Sequence, residues 1–366
     1  MTNPLTAFKL TNNDPLKTPI FLGEEGTTGI SRSDIVKYPI FTKQHERMWS
    51  YHWKPQEINL TKDKADFNAL DEAEKFIFLS NLRRQIMLDS QQSLCLGQAF
   101  KPILTNPEIK RCINTIEFFE EIHAFSYEYI VKNVFNDPSE IFNGLNEIQE
   151  IVKASNSISR YYDELITMIA KYRLGLVHKR EMYRPIWLTL HSIAAMEGLR
   201  FYDSFCCTFS FAERGTMVGN ASEIRLIAND EALHVAFVAQ LIKLLPQDDE
   251  NFAQIAAQCK EEVTAIFLEV VKEEKDFAEY LFSKGTMIGL SKEILWSFID
   301  HMAAKRMNLV GLVYPYESPK NSPVPFMGRW LNEANTQVAP QETELTGYQK
   351  VVSMDIDENS FAGISL

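Results

Sequence analysis

Residues 113–134 read INTIEFFEEIHAFSYEYIVKNV. Wound as a helix, positions 113, 116, 120, 123, 127, 130 and 134 advance by three and four and share one face. That face carries Ile113, Ile116, Glu120, His123, Tyr127, Ile130 and Val134. Its ends are apolar enough to look into a core, yet its middle holds a carboxylate, an imidazole and a phenol. An unpaired carboxylate taken out of water costs several kcal/mol, so the rest of the chain has to bring a neutralising cation to this face.

Three other helical stretches have the same character. From about Asp71 to Leu96 an apolar stripe runs through Phe78, Leu82, Ile86 and Leu96, and Asp89 falls on it. A helix opened by Pro185 and running through IWLTLHSIAAMEGLRFYDSFCCTFSF aligns Leu190, Ala194, Glu197, Phe201 and Phe205. From about Thr216 to Leu245, Ile224, Ile227, Glu231, His234, Val238 and Leu241 share a face. Two of the seven histidines thus sit three residues after a glutamate on an apolar stripe. In a helix, positions i and i+3 are neighbours, so each pair can offer one oxygen and one nitrogen to a single ion.

One Glu-x-x-His is weak, because a buried histidine is more often a hydrogen-bonded core residue and a lone acid on a stripe is more often ion-paired. The conjunction is specific: Asp89, Glu120 with His123, Glu197, and Glu231 with His234 supply the inventory of a dinuclear site in a four-helix bundle, with an aspartate at one glutamate position. Four carboxylates balance two divalent ions. Oxygen and imidazole ligands suit iron or manganese better than a thiolate-seeking metal.

Tyr127 lies seven residues from Glu120, close to two full turns, and points toward the same place. Read plainly, it fills core with its hydroxyl bonded, for example to Asp89. Read chemically, it gives up one electron to the metals and becomes a phenoxyl radical. Phe201, Phe205 and Ile227 on the neighbouring stripes favour the chemical reading, since they would wall it with poor hydrogen-atom donors.

The remaining chain fits an almost all-helical protein. Residues 1–35, rich in Asn, Thr, Gly and Pro, read as a surface arm. A helix beginning near Tyr38 should stop at about Trp53, ahead of Pro55. Further helices are expected over about Glu140–Tyr172, from the QDDEN segment after Pro246 to about Phe282, and from Ser291 to about Asn308. The folded body, residues 36–336, closes after ESPKNSPVPF, and residues 337–366 form an acidic, flexible tail. No alternating strand pattern of any length is present.

Composition narrows the function. A formal charge of -12 argues against nucleic acid or an anionic membrane as partner. No long apolar run and no secretory leader are visible, so a cytoplasmic location is expected. The five cysteines are scattered without a CxxC pair, so disulfide scaffolds and intrachain dithiol chemistry are not expected. Adjacent Cys206 and Cys207 point about 100° apart on a helix and read as core.

The passages NLRRQIMLDS, FFEEIHAFSYEYI, AAMEGLRFYDSF, RLIANDEALH and QVAPQETELTGY resemble the small, radical-generating subunit of class Ia ribonucleotide reductase, and the likeness covers essentially the whole chain. It implies a ferritin-like bundle with extra helices. It implies that Asp89, Glu120 and His123 ligate one iron and Glu197, Glu231 and His234 the other, with some carboxylates bridging and manganese as the alternative metal. By the same likeness Tyr127 stores a tyrosyl radical made with O2 and an electron donor, inside a pocket of Phe201, Phe205 and Ile227. Trp53, Asp230 and His123 begin the radical route, Tyr348 relays it onward with Glu342, and the last residues dock on the large subunit. A homodimer is implied too. Asn229 departs from the arginine that close relatives often carry beside the Asp-Glu pair. Two other readings of a dinuclear bundle stand beside this one: an oxidase or hydroxylase acting on its own substrate, and an iron store.

Overall fold

A computed structural model describes residue 14, residues 16–23 and residues 31–331. Its helices are α1 (Pro39–Ser50), α2 (Thr61–Ala69), α3 (Glu72–Phe100), α4 (Pro107–Val134), α5 (Ser139–Asn143), α6 (Gln149–Arg173), α7 (Tyr183–Ala195), α8 (Tyr202–Glu213), α9 (Val218–Asp248), α10 (Glu250–Gln258), α11 (Lys260–Leu281), α12 (Lys292–Leu309) and α13 (Pro325–Trp330). Among the described residues there is no strand, only isolated bridges such as Phe21 to Leu104. The fold is all-α, as the periodicity predicts.

Four helical segments, α7 and α8 together counting as one, form a closed ring. α3 packs on α4 and α8, α4 packs on α9, and α9 packs back on α7 and α8. The starts of the two central helices are fixed locally: Asp71 accepts from the Glu74 amide at 2.8 Å, and Asn106 accepts from the Ile109 amide at 2.9 Å with Pro107 at the first helical position. α6, α11 and α12 pack outside this ring. The apolar stripes read from the sequence face inward: Ile86, Ile116, Leu190 and Leu241 are all buried.

Several boundaries differ from the sequence reading. The stretch Pro185–Phe211 is not one regular helix. A π-helical turn, Met196–Arg200, separates α7 from α8 and carries Glu197; such wide turns re-aim side chains and recur at functional sites. The region from Glu140 is divided at Gly144, where Arg83 of α3 donates to the Glu140 and Ile141 carbonyls and ends α5. A Cβ on Gly144 would meet that guanidinium at 2.8 Å. Pro246 lies inside the last turn of α9 rather than ending it. The helix after it breaks at Cys259, because α10 packs on α9 while α11 turns to pack on α12.

α1 stops at Ser50, so Trp53 sits not at its end but in the connection before a single 3-10 turn, Pro55–Glu57. Within the stretch read as a surface arm, Ile20, Phe21 and Leu22 are buried, and the Leu22 amide bonds the Ile103 carbonyl. Tyr348, Glu342 and the proposed docking tail lie outside the described residues.

Candidate metal centre

The ring brings all six expected ligands together. Asp89 comes from α3, Glu120 and His123 from α4, Glu197 from the π turn, and Glu231 and His234 from α9. None is more than 2% exposed. They make two groups whose ligand atoms lie within 4.8 Å of one another: Asp89, Glu120, His123 and Glu231, and Glu120, Glu197, Glu231 and His234. Glu120 and Glu231 belong to both, as two bridging carboxylates would.

Distances within the cluster are those of groups gathered around something. His123 Nδ1 is 3.2 Å from Glu231 Oε1 and 3.7 Å from Glu120 Oε2. His234 Nδ1 is 3.1 Å from both Glu120 Oε1 and Glu231 Oε2, and 3.9 Å from Glu197 Oε2. Asp89 Oδ1, both Glu120 oxygens, Glu197 Oε2, Glu231 Oε1 and His123 Nδ1 lack hydrogen-bond partners despite full burial. Buried polar atoms are rarely left so, and four carboxylates without a buried lysine or arginine among them call for cations. The donor set fits a pair of metal ions.

The electrostatics agree. Burial, reinforced by the charges of Glu120 and Glu231, holds Asp89 well above the usual carboxylate range. Burial and the charge of Glu231 do the same to Glu197. For Glu231 burial also works upward, but interaction with the nearby Glu197, His123 and His234 outweighs it and leaves that carboxyl below its ordinary value. Burial alone would lower the two histidines; interaction with the surrounding carboxylates, led by Asp230 for His123 and Glu120 for His234, raises both well above their ordinary value. Metal ions bound by these groups would displace their protons.

The other expected residues, among those described, are buried as well. The Tyr127 hydroxyl donates to Asp89 Oδ2 at 2.7 Å, and the ring is 1% exposed. Burial, then the neighbouring Asp89 charge, pushes its phenol well above the usual range. Phe201, Phe205 and Ile227 are fully buried, the two phenylalanine rings stacked 5.9 Å apart. His123 commits Nε2 to Asp230 Oδ2 at 3.2 Å, which fixes the ring and turns Nδ1 to the cluster. Trp53 Nε1 donates to that same oxygen at 2.8 Å. Asn229 is buried beside Asp230.

Two neighbours of the cluster escape the stripe reading. Gln92 Nε2 donates to Glu197 Oε1, and the buried Tyr162 hydroxyl donates to Gln92 Oε1. Gln92 follows Asp89 by three residues and therefore shares its face, a signal that a search for acids and imidazoles alone passes over.

Comparison with known proteins completes the picture. Residues 34–323 match the family "Ribonucleotide reductase, small chain". The chain belongs to the ribonucleotide reductase small-chain family. It is 42% identical, over 357 residues and 94% of each chain, to ribonucleoside-diphosphate reductase 1 subunit beta of Escherichia coli O157:H7. In fold it is similar to the ribonucleotide reductase R2 subunit from Clostridium botulinum, with TM-score 0.73 and 23% identity over 86% of this chain and 94% of that one. It is also similar to the dimanganese(II)-NrdF of Streptococcus sanguinis, with TM-score 0.66 and 19% identity over 82% and 99%. The chain is thus a small subunit of ribonucleotide reductase, and the iron-storage and free-standing oxidase readings fall away. Among the described residues no helix is long and apolar enough to cross a membrane.

Proposed function

We propose that this small subunit makes and stores a radical on Tyr127 and passes it to a large subunit, which reduces ribonucleoside diphosphates. The observation that carries the reading is the 2.7 Å hydrogen bond from the Tyr127 hydroxyl to Asp89, a member of the metal-ligating cluster. Two redox-active ions in that cluster, charged with electrons and dioxygen, supply the oxidising power that a phenol requires. We assign iron to both sites; manganese, named for the Streptococcus sanguinis relative, satisfies the same oxygen and nitrogen donors.

The chain's own residues divide the work. Asp89 receives the phenolic proton along the existing hydrogen bond as the electron leaves, so charge does not accumulate in the apolar interior. Phe201, Phe205 and Ile227 exclude donors that would quench the radical. Trp53, Asp230 and His123 form an unbroken hydrogen-bonded chain from the cluster toward α1, with the Trp53 and His123 rings at 24° to each other. From Trp53 the hole continues through Tyr348, assisted by Glu342, in the tail that docks on the large subunit. Pairing of two copies and a cytoplasmic location complete the proposal.

Truncation after about residue 340 tests it. The shortened chain should load metal and form the radical, yet give no deoxyribonucleotide when mixed with the large subunit. Undiminished turnover would refute the tail relay.

A further inference from the structure

We propose that Arg200, which lies outside the ligand cluster, is the positioning residue for Glu197: it ties the π turn to α6 and α11 and so sets where that carboxylate meets the metal ions. The inference rests on the dinuclear reading above. The turn Met196–Arg200 carries Glu197 at its second position and ends on Arg200. Such a turn inserts one residue into a helix, so the faces of α7 and α8 are offset by about 100° from where an unbroken helix would put them. Relaxing to a regular helix would erase that offset, so neighbouring elements have to hold the wide turn in place.

Arg200 supplies the hold. Its side chain is fully buried, and Nη2 donates to Glu273 Oε2 of α11 and to Ser157 Oγ of α6, each at 2.6 Å. Nη1 lies 3.6 Å from Glu274 Oε1, the oxygen that also accepts from Arg84 of α3. Arg306 of α12 braces the same turn: a Cβ added to Gly198 would meet its Cγ at 3.2 Å, and its guanidinium donates to the Tyr202 hydroxyl just past the turn. The residues one and three places after Glu197 are therefore both gripped from outside the ring.

Stability alone does not account for this arrangement. Replacing a buried ion pair by apolar side chains of like volume is often neutral or stabilising, and the best-attested role of a buried pair is to fix register. Register is what Glu197 needs. Glu120 and Glu231 each have a histidine three residues on, whereas the matching place after Glu197 is taken by Arg200. Glu197 Oε1 accepts from Gln92, while Oε2 has no hydrogen-bond partner and lies 3.9 Å from His234 Nδ1. A shift of one residue would carry this carboxylate off the cluster.

Anaerobic ferrous titration of the full chain, beside urea denaturation, tests the proposal. Arg200→Met keeps much of the volume and drops the contacts to Glu273 and Ser157; it should bind the second ion about tenfold to a hundredfold more weakly, the range for partners that orient a metal ligand. Arg84→Met removes the other guanidinium of the same buried network without touching the turn. It should lower stability by a comparable amount, yet bind both ions like the parent. Arg200→Lys, which keeps the charge, should recover part of the affinity. If Arg200→Met does not fold, the double variant Ser157→Ala/Glu273→Gln, at two half-buried positions, unloads the guanidinium and should also weaken the second ion. Parent affinity for both ions in whichever of these variants folds, or an equal weakening in Arg84→Met, overturns the proposal. A parent chain that takes up fewer than two ions would strike the dinuclear reading itself.

Discussion

Trp53 and His123 share one carboxylate oxygen: Asp230 Oδ2 accepts from Trp53 Nε1 at 2.8 Å and lies 3.2 Å from His123 Nε2. The two rings come from a loop and from α4, with ring centroids 6.3 Å apart, and the aspartate comes from α9. Three elements therefore have to be in register for the link to exist, and it ends on an imidazole whose other nitrogen faces the cluster.

Trp53→Phe keeps an aromatic ring but removes the donor. Losing a buried hydrogen bond to a charged group should cost about 2 kcal/mol of stability. Metal content should be unchanged, while turnover with the large subunit falls to background. Urea denaturation, metal analysis and a product assay check the three parts separately.

The two metal groups overlap unequally, and this predicts unequal losses. Glu231 belongs to both groups and Asp89 to one. Glu231→Ala should therefore leave the chain with almost no bound iron, whereas Asp89→Ala should keep roughly one of two ions. Iron per chain measured by elemental analysis after reconstitution distinguishes them; equal losses would mean that Glu231 does not bridge.

Away from the centre, Glu223 on α9 is fully buried and neither of its oxygens has a hydrogen-bond partner. Burial, then the negative charges of Asp63 and Glu57, raises its carboxyl well above the ordinary value. The folded protein thus holds this proton more tightly than the unfolded chain, so its contribution is fully present below the unfolded value near about pH 4 and is lost as pH rises through the folded value. Glu223→Gln should be more stable than the parent by about 2 kcal/mol at pH 8, with the advantage shrinking as pH falls. Urea midpoints across that range measure it.

How far the sequence reveals the molecule follows from the same residues. The six clustered side chains were legible because each is an acid or imidazole set in an apolar stripe, and helical spacing alone puts Glu120 beside His123 and Glu231 beside His234. Helix ends were legible where a capping residue decides them, as at Asn106 and Ser291. Breaks imposed by tertiary packing were not: nothing in the residues around Cys259 forbids continuing the helix, and Gly144 ends α5 only because Arg83 arrives from α3. The π turn at Glu197 leaves no compositional trace.

The buried ion pair of Arg84 and Glu274, joined by Arg200, was equally invisible. Its members lie on three elements far apart in the chain, and each alone looks like a surface charge. The same holds for Gln92, which touches Glu197, and for Tyr162, which bonds Gln92; neither stands out by any pattern of its own.

The central claim is that a metal pair held by these six side chains oxidises one particular phenol. Electron spin resonance after adding ferrous iron and dioxygen, run on the parent and on Tyr127→Phe side by side, tests it most directly. The parent should give a sharp phenoxyl signal, and the variant should bind the same iron and give none. An identical signal from the variant would place the radical on another residue and contradict the account.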